Sequence, residues 1–404
     1  MTEIVICNPV RTPVGRMGGV LSSLTAPDLA TAALRALISQ TGLGEGDVDD
    51  VILGNGYANG EAPALGRIAA LDAGLGTGVP GLQIDRRCGS GLQAVLFAAG
   101  QIATGAASVV VAGGAESMSN VEHYALGLRT GVRQGAVTLL DRLDRARETA
   151  GGTSYPMSGG MIETAENLRR EYAISREDQD ALSVRSHQRA VAAHDAGHFT
   201  DELIPITVPG RRGHPDVVID RDEHPRADIT VDKLAALRPI RSKVDPEASV
   251  TAGNASGQND GAAMCLVTTP AAAEKHGLTP LFALRSWAVS GCRPEMMGIG
   301  PVSAAAAALG RAGLTLDEIG LVELNEAFAA QVLAVLAEWK MDPLDDRLNP
   351  NGSGIALGHP IGATGARILA TAAYEARRRD ARFVLETMCI GGGQGLAAIF
   401  ETIR

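Results

Sequence analysis

The order of strand and helix patterns occurs twice along the chain, and this repetition constrains the fold more than any other feature. The first part reads strand 4–7, helix 28–40, strand 51–53, helix 63–73, strand 83–85, helix 89–104 and strand 108–112. The last part reads strand 282–287, helix 302–311, strand 319–324, helix 326–339, helix 364–378 and strand 382–386. Strands that alternate with helices predict a parallel, doubly wound α/β sheet, and the repetition predicts a duplicated core.

The spacing of polar residues in the two parts also agrees. Asn55 and Asn325 each follow a strand, with Cys88 33 residues after the first and His359 34 residues after the second. The strands that close the two repeats are predicted to end at glycines, at 113–114 and 391–393. Residue identity between the parts is low and leaves chance as an alternative, but order and spacing together favour an internal duplication.

A region of different character, 119–250, separates the repeats. It is richer in charge, holds most of the histidines and contains loop signals such as Gly151-Gly152. A helix is expected from an N-cap at Ser175 to about His194. We interpret the region as a cap over the core, with a third independent domain as the alternative. The predicted division is 1–118 and 251–274 for the N-terminal half, 119–250 for the inserted loop domain and 275–404 for the C-terminal half.

Composition excludes several classes of protein. Of 404 residues, 36 are Lys or Arg and 46 are Asp or Glu, so a net charge of −10 argues against nucleic-acid partners. Five scattered cysteines without a CxxC pair predict neither a disulfide framework nor a metal site. No apolar run reaches the length of a membrane span, and the N-terminus does not resemble a signal peptide. A cytoplasmic protein is the expectation.

Cys88 is the first candidate for chemistry. It lies in Asp85-Arg-Arg-Cys88-Gly-Ser-Gly91, between a strand and a helix. The helix N-terminus, with help from Arg86 and Arg87, is predicted to favour the thiolate. The glycines allow a substrate carbonyl to approach backbone N–H groups. The alternative is a buried structural cysteine.

His359 and Cys389 are the next candidates. His359 lies in a loop rich in glycine and proline, 349–365, where an imidazole can act as a base or hydrogen-bond donor, or can simply cap a helix. No Lys-Ser/Thr follows the glycines, so a phosphate-binding P-loop is poorly supported. Cys389 precedes Gly391–Gly393, whose N–H groups can stabilise an anion. Under the duplication, Cys88, His359 and Cys389 are predicted to converge.

Three further segments allow two interpretations each. The Asn325 amide can hold a water or a carbonyl, or it can cap a helix. The small residues of Thr251–Gly261 suit a narrow tunnel for a thin ligand, or a tight turn under a helix. Basic residues in the charged stretch 206–245 can bind phosphates, or they can form a solvated face. These residues are Arg211, Arg212, Arg221, Arg226 and Lys233.

Together these blocks resemble the thiolase family over nearly the whole chain. The matching stretches are Arg11-Thr-Pro-Val-Gly15, Cys88-Gly-Ser-Gly91, Gly113-Gly-Ala-Glu-Ser-Met118, Thr164-Ala-Glu-Asn167, Thr251–Gly261, Asn325-Glu-Ala-Phe328, Asn349–Gly365 and Cys389-Ile-Gly-Gly-Gly-Gln-Gly395. The resemblance implies a duplicated five-layer α-β-α-β-α core with an inserted loop domain that binds coenzyme A. It also implies a homodimer or homotetramer.

The resemblance further implies a role for each site residue. Cys88 would accept the acyl group, His359 would activate it, and Cys389 would act as the acid/base on the second substrate. Asn325 would hold a water that completes one oxyanion hole with His359, and the N–H groups of Cys88 and Gly391 would form the other. The residues that would contact coenzyme A or the acyl chain are Ser256, Arg226, Met161, Ala327 and Phe328, with the loops of 211–241. Coenzyme A enters as a substrate, and no permanently bound cofactor or metal is implied.

One departure affects the substrate. Biosynthetic thiolases have His-Met-Gly before Thr-Ala-Glu-Asn, whereas this chain has Gly160 at the histidine position and Glu163 directly before Thr164. The segment lines the family's acyl pocket. The expected activity is acetyl-CoA C-acetyltransferase, with a degradative 3-ketoacyl-CoA thiolase for medium-chain or β-ketoadipyl-CoA as the alternative. A decarboxylating β-ketoacyl synthase is disfavoured because such enzymes use Cys-His-His, and a non-catalytic acyl-CoA or lipid-binding relative is the remote possibility.

Overall fold

A computed structural model of the chain describes residues 2–210 and 213–404. The strands in these residues are β1 (Val5–Arg11), β2 (Gly15–Arg16), β3 (Asp50–Gly54), β4 (Gly81–Ile84), β5 (Val109–Ser117), β6 (His123–Tyr124), β7 (Leu140–Asp141), β8 (Ile206–Val208), β9 (Val217–Ile219), β10 (Asn259–Thr268), β11 (Pro280–Gly291), β12 (Leu321–Leu324), β13 (Phe383–Ile390) and β14 (Gln394–Thr402). The α-helices are α1 (Ala26–Thr41), α2 (Leu65–Ala73), α3 (Ser90–Ala103), α4 (Arg142–Glu148), α5 (Gly160–Glu171), α6 (Arg176–Asp195), α7 (Val231–Ala235), α8 (Pro270–Lys275), α9 (Gly300–Ala312), α10 (Ala329–Trp339), α11 (Gly354–Leu357) and α12 (Thr364–Arg378).

The large sheet consists of two halves joined at an antiparallel seam between β1 and β11, where Ile6 lies opposite Phe282. From this seam outward, one half runs β1-β10-β5-β3-β4 and the other β11-β14-β13-β12. An isolated parallel bridge between Val322 and Leu348 occupies the position that β4 has in the first half. The matching strand order confirms the predicted duplicated α/β core.

The prediction of a parallel sheet is wrong for much of this core. Only the pairs β3–β4, β3–β5 and β12–β13 are parallel among the described strands. The chain turns tightly at Gly391–Gly393 between β13 and β14, and a parallel pair would need a long crossover at that point. Gly392 and Gly393 take φ values of 90° and 82°, which suit glycine and close the turn.

Three buried apolar clusters define the layers. The central cluster joins α3 and α12 to the inner faces of both sheet halves, with Leu92 and Ile368 among its members. A second cluster packs α1 and α2 on the outer face of the first half, and a third packs α9 and α10 on the outer face of the other. The order helix, sheet, helix, sheet, helix agrees with the predicted five-layer core.

The helices α3 and α12 touch at glycines. A Cβ on Gly365 would lie 2.3 Å from the Leu92 backbone nitrogen, and a Cβ on Gly91 would lie 2.9 Å from that of Ala366. Only glycine permits this approach of the two backbones. The contact places the first turns of both helices against each other, with Cys88 just before one and His359 just before the other.

The glycines at 113–114 have a different role from the predicted one. Strand β5 continues past them to Ser117. In the first repeat Gly114 of β5 pairs with Gly54 of β3, and in the second repeat Thr387 of β13 pairs in the same way with Leu324 of β12. By register, Gly114 therefore corresponds to Thr387 rather than to 391–393. A Cβ on Gly114 would lie 2.0 Å from the Gly362 carbonyl oxygen, so the side chain is absent to admit a neighbouring loop.

The region 119–250 contains β6 to β9 and α4 to α7. The hydroxyl of Ser175 accepts a hydrogen bond from the Asp178 N–H and caps α6, as the sequence predicts. Helix α6 contacts α10 and α11, and α5 contacts α10, so the segment lies over the C-terminal half of the core. Within the described residues, no helix is both long and apolar enough to cross a membrane.

Gly365→Ala tests the contact between α3 and α12. We expect it to lower the free energy of unfolding by about 1–3 kcal/mol, because the new methyl group must push the backbones apart. Gly100→Ala is the matched control, since it lies on the exposed side of α3 with nothing within 4 Å of its would-be Cβ. It should raise stability by up to about 1 kcal/mol through helix propensity. Urea denaturation measures the free energy of unfolding of both variants. An equal change in the two variants would contradict the role of Gly365 in the packing of α3 against α12.

Candidate active site

A cavity of about 530 Å³ opens in front of the two central helices. The predicted site residues that line it are Cys88, His359, Ser256, Met161, Ala327 and Phe328. Cys389 is buried directly behind one wall, in a cluster with Met297, Ala327 and Phe328. The structure thus gathers the predicted residues from both sheet halves and from the inserted segment around one space.

Cys88 lies in a single 3₁₀ turn, Arg87–Gly89, that leads into α3. Arg87 takes a φ of 47°, a conformation uncommon for a residue with a side chain. Two contacts hold this turn. The Arg87 N–H donates to Asp85 Oδ1 at 2.7 Å, and Ser90 Oγ donates to the Arg87 carbonyl oxygen at 2.7 Å. The turn presents the Cys88 side chain to the cavity.

The thiol of Cys88 does not have the low pKa that the sequence suggested. Burial raises its pKa, while the N–H of Gly391, the charge of Arg87 and its own N–H act in the opposite direction without prevailing. Arg86 is not among the groups that lower the pKa of Cys88, and its guanidinium instead donates to Gln394 Oε1 at 3.0 Å. Desolvation therefore outweighs the helix N-terminus, and Cys88 rests as a thiol.

The imidazole of His359 is oriented by Thr364. The Thr364 hydroxyl donates its proton to the Pro360 carbonyl oxygen at 2.9 Å, so it accepts from His359 Nδ1 at 2.6 Å. Nε2 then carries the lone pair, and it is buried without a hydrogen-bond partner in the described chain. Burial first, and then the charges of Arg367 and Arg147, lower the pKa of His359 to about 3. Its alternative role as a helix cap is wrong, since the N-cap of α12 is Ala363.

Asn325 follows β12, and its main-chain N–H donates to the Thr387 carbonyl oxygen at 3.0 Å. Both polar atoms of its side chain are buried and find no partner among the described residues. The helix-cap interpretation is wrong, because α10 starts at Ala329 with Phe328 as its N-cap. A Cβ on Gly354 would lie 2.8 Å from Asn325 Oδ1, so a glycine there leaves the amide its space.

Cys389 and Gly391 lie close to Cys88. Burial raises the pKa of the Cys88 thiol, and the Gly391 N–H has the next largest effect and lowers it; Cys88 in turn adds to the effect of burial on the pKa of Cys389. Burial raises the pKa of Cys389 well above its ordinary value. Met161 closes the same corner, because its sulfur would lie 3.3 Å from a Cβ on Gly391. Two neutral sulfurs and a backbone N–H thus share one end of the cavity.

The predicted phosphate contacts are not brought to the cavity. Arg226 is exposed and absent from the cavity wall, and its main-chain N–H donates to His187 Nδ1 at 3.2 Å. Arg221 pairs with Asp195 at 2.8 Å, and Lys233 pairs with Asp228 at 2.5 Å. Arg211 and Arg212 lie outside the described residues. Ser256 does line the cavity, held by its N–H to the Ala327 carbonyl oxygen at 2.9 Å.

Glu163 does not enter the acyl pocket, contrary to the concern raised by the sequence. One of its oxygens accepts from Arg170 Nη2 at 2.6 Å and the other from Arg241 Nε at 3.0 Å. Gly160 remains at the cavity wall with a φ of 60°. Gly160 and Glu163 therefore act differently. Gly160 widens the pocket, whereas Glu163 stabilises the pocket wall from outside through Arg170 and Arg241.

Glu116 is a functional residue that motif reasoning missed. Its carboxylate accepts the N–H groups of Gly56 and Gly362, both at 2.8 Å, and of Tyr57 at 3.3 Å. It thereby ties the loop after β3 to the loop that carries His359. Burial raises its pKa to about 7 despite these donors. Glu116 holds the position in β5 that Cys389 holds in β13 of the other repeat, and this equivalence was the available signal.

Comparison with known proteins agrees with this site. Residues 4–271 match the thiolase N-terminal domain and residues 278–402 the thiolase C-terminal domain. An acetyl-CoA acetyltransferase of Pseudomonas aeruginosa is 47% identical over 98% of both chains, and a beta-ketoadipyl-CoA thiolase of the same species is 42% identical over 99% of both. The crystal structure of the Bacillus anthracis acetyl-CoA acetyltransferase superposes with a TM-score of 0.94 at 41% identity, covering 100% of this chain and 99% of the other. The chain belongs to the thiolase family, and it is an acyltransferase.

The protonation states can be tested by alkylation of Cys88 with iodoacetamide. Because burial raises the pKa of the thiol and His359 is neutral, the reactive thiolate is a minor form at pH 7. We expect the rate at Cys88, followed by peptide mass spectrometry, to rise about tenfold for each pH unit from about 6 to 8. A rate that is flat over this range would instead indicate a preformed thiolate–imidazolium pair.

Proposed function

We propose that the chain is an acetyl-CoA C-acetyltransferase. It interconverts two molecules of acetyl-CoA with acetoacetyl-CoA and coenzyme A, through an acyl group carried on Cys88. The single observation that carries the proposal is the arrangement of Cys88, the free Nε2 of His359 and Cys389 around one end of a cavity. A nucleophile, a base and a second acid/base are the groups that a covalent acyl exchange requires.

In the first step, His359 Nε2 accepts the proton of the Cys88 thiol as the sulfur attacks the thioester carbonyl. The neutral state of both groups supports this order, because the proton moves only when substrate is present. The carbon–sulfur bond to coenzyme A breaks, and the departing thiolate takes the proton of Cys389. The acyl-enzyme then holds Cys389 as a thiolate beside a His359 that is protonated on Nε2. We assign the stabilisation of the negative charge on the carbonyl oxygen to the N–H groups of Cys88 and Gly391, and their effect in lowering the pKa of the Cys88 thiol supports this assignment.

In the second step, the Cys389 thiolate removes an α-proton from a second acetyl-CoA, and the resulting carbanion attacks the acyl-cysteine. The carbon–sulfur bond to Cys88 breaks, and the Cys88 sulfur takes the proton that His359 holds on Nε2. Before His359 gives up this proton, the enolate oxygen needs donors, and we assign this role to its Nε2–H with a water held by Asn325. The unpartnered amide of Asn325 and Nε2 of His359 support the assignment. In the reverse direction, Cys389 deprotonates the incoming thiol of coenzyme A. The α-proton of a thioester is weakly acidic, so both a positioned base and enolate stabilisation are required.

Coenzyme A enters this scheme as a substrate, with no resident cofactor. We infer that its pantetheine arm passes between Ser256 and the wall formed by Met161, Ala327 and Phe328, which all line the cavity. We keep the division into core halves and an inserted loop domain at 119–250 as part of the proposal. The free state of all five cysteines supports a reducing compartment such as the cytoplasm.

A degradative 3-ketoacyl-CoA thiolase is the second candidate. The open space at Gly160 favours a longer acyl chain, and one relative is named for β-ketoadipyl-CoA. A non-catalytic acyl-CoA-binding protein is disfavoured, because the reactive side chains all remain beside the cavity.

We also propose a homo-oligomer, either a dimer or a tetramer. Strand β4 is the last strand of its sheet half, and the exposed apolar residues Leu82 and Phe97 lie on it and on α3. Further exposed apolar residues follow between 126 and 139. Unpaired strand edges and clustered apolar residues favour association between copies.

Cys88→Ser tests the nucleophile. Incubation of the native protein with acetoacetyl-CoA, without free coenzyme A, should add one acetyl group to the peptide that contains Cys88. The variant should form no such thioester while it still binds coenzyme A, because the cavity wall changes by one atom. Intact and peptide mass spectrometry measure the adduct, and an acetyl group found on another residue would overturn the assignment.

Cys389→Ala tests the second step. The variant should still acetylate Cys88 from acetyl-CoA, but its kcat for condensation should fall by at least about 100-fold, the usual contribution of a general base. Cys292→Ala is the matched control, since Cys292 is a neighbouring, half-buried cysteine without an assigned role. Near-normal condensation by Cys389→Ala would remove this residue from the mechanism.

A further inference from the structure

Within residues 2–210 and 213–404, one arginine lines the cavity that Cys88 and His359 also line. It is Arg147, on α4, and its side chain is 24% exposed. Neither the sequence motifs nor the proposed exchange of acetyl groups gives it a role. A guanidinium that is largely removed from water needs an anionic partner, and the acetyl group has none to offer.

The protein itself supplies Arg147 with only a weak partner. Its Nη1 lies 3.3 Å from Asp144 Oδ1, and the side chain of Asp144 is 74% exposed. Glu148 also lines the cavity, but it is 50% exposed and pairs with Arg145 at 3.3 Å. An exposed pair at this distance contributes little. Among the described residues, Asp144, Arg147 and Glu148 are the charged side chains on the cavity wall, and Arg147 is the least exposed of them.

Arg147 lies at the reacting end of the cavity. Its charge acts on His359 and also on the buried Tyr57. Tyr57 packs with Met118 and Ile361, and both of these residues line the cavity. The guanidinium is thus close to the group that reacts with the acyl carbonyl, beside the wall formed by this apolar cluster.

Gly160 makes room for this arginine. A Cβ at position 160 would lie 3.2 Å from the Cβ of Arg147, a tighter contact than side chains normally make. The position that the biosynthetic thiolases fill with histidine is thus empty here, and Arg147 packs against it. A side chain at position 160 would therefore press on Arg147, and the glycine leaves the arginine its place at the cavity wall.

We propose that Arg147 is a specificity residue that binds the terminal carboxylate of a dicarboxylic 3-oxoacyl-CoA. The inference rests on the proposed thiolase function and extends its substrates from acetoacetyl-CoA to chains that end in a carboxylate. The pantetheine arm is uncharged, whereas a dicarboxylic acyl chain would bring a carboxylate into the part of the cavity that Arg147 lines. A charge-assisted, bidentate contact would satisfy it and would reject uncharged chains of equal length.

The test compares thiolysis of 3-oxoadipyl-CoA and 3-oxohexanoyl-CoA, which have equally long chains and differ in the terminal carboxylate. We expect the native enzyme to favour 3-oxoadipyl-CoA in kcat/KM by about 10- to 100-fold, the value of a hydrogen bond to a charged group. In Arg147→Met this ratio should fall to about one, through a higher KM for the dicarboxylic substrate. Arg145→Met, two residues away on the same helix and paired with Glu148, is the control and should keep the ratio.

Each other outcome overturns the inference. A native enzyme with equal kcat/KM on the two substrates has no carboxylate site. If Arg147→Met loses activity on both substrates equally, or mainly raises the KM for coenzyme A, the arginine contacts coenzyme A or supports the fold. Thiolysis of acetoacetyl-CoA, measured in parallel, separates these results from failure of the proposed function. An enzyme that cleaves none of the three substrates is not a thiolase in activity, whereas one that cleaves only the uncharged pair lacks the dicarboxylate site.

Discussion

The site depends on the close contact of α3 and α12 at Gly91 and Gly365. The contact lies in the middle layer, where helices from the two halves of a duplicated core meet. Each helix is preceded by one reacting residue, so the distance between the backbones sets the position of Cys88 relative to His359. A larger side chain at either glycine would act on the chemistry as well as on stability.

Burial controls the electrostatics of this site more than any neighbouring charge does. It raises the pKa of Cys88 and Cys389 and lowers that of His359 to about 3. The positive charges of Arg367 and Arg147 reinforce the neutral form of the imidazole. The three reacting side chains are therefore uncharged at rest, and they separate charge only during turnover, against fixed N–H donors. Such a site protects its nucleophile from oxidation and alkylation between turnovers.

Local sequence patterns were sufficient for the order of strands and helices and for the Ser175 cap, and the duplication predicted that Cys88, His359 and Cys389 converge. Other residues of the cavity wall, such as Ser256, were expected only from the family resemblance. Local patterns failed where contacts distant in sequence decide. The antiparallel β14 follows from a turn whose partner strand could not be inferred. Glu163 was expected at the acyl pocket, but Arg170 and Arg241 bind it, and Arg147, for which no role was expected, lies beside Gly160.

A covalent intermediate on Cys88 requires that the first product leave before the second substrate reacts. Initial rates of acetoacetyl-CoA thiolysis over a grid of acetoacetyl-CoA and coenzyme A concentrations measure this order directly. Double-reciprocal plots should give parallel lines, because acetyl-CoA departs before coenzyme A attacks the acyl-cysteine. Lines that intersect would mean that both substrates must be bound before any product leaves, and they would contradict an acyl group carried by Cys88.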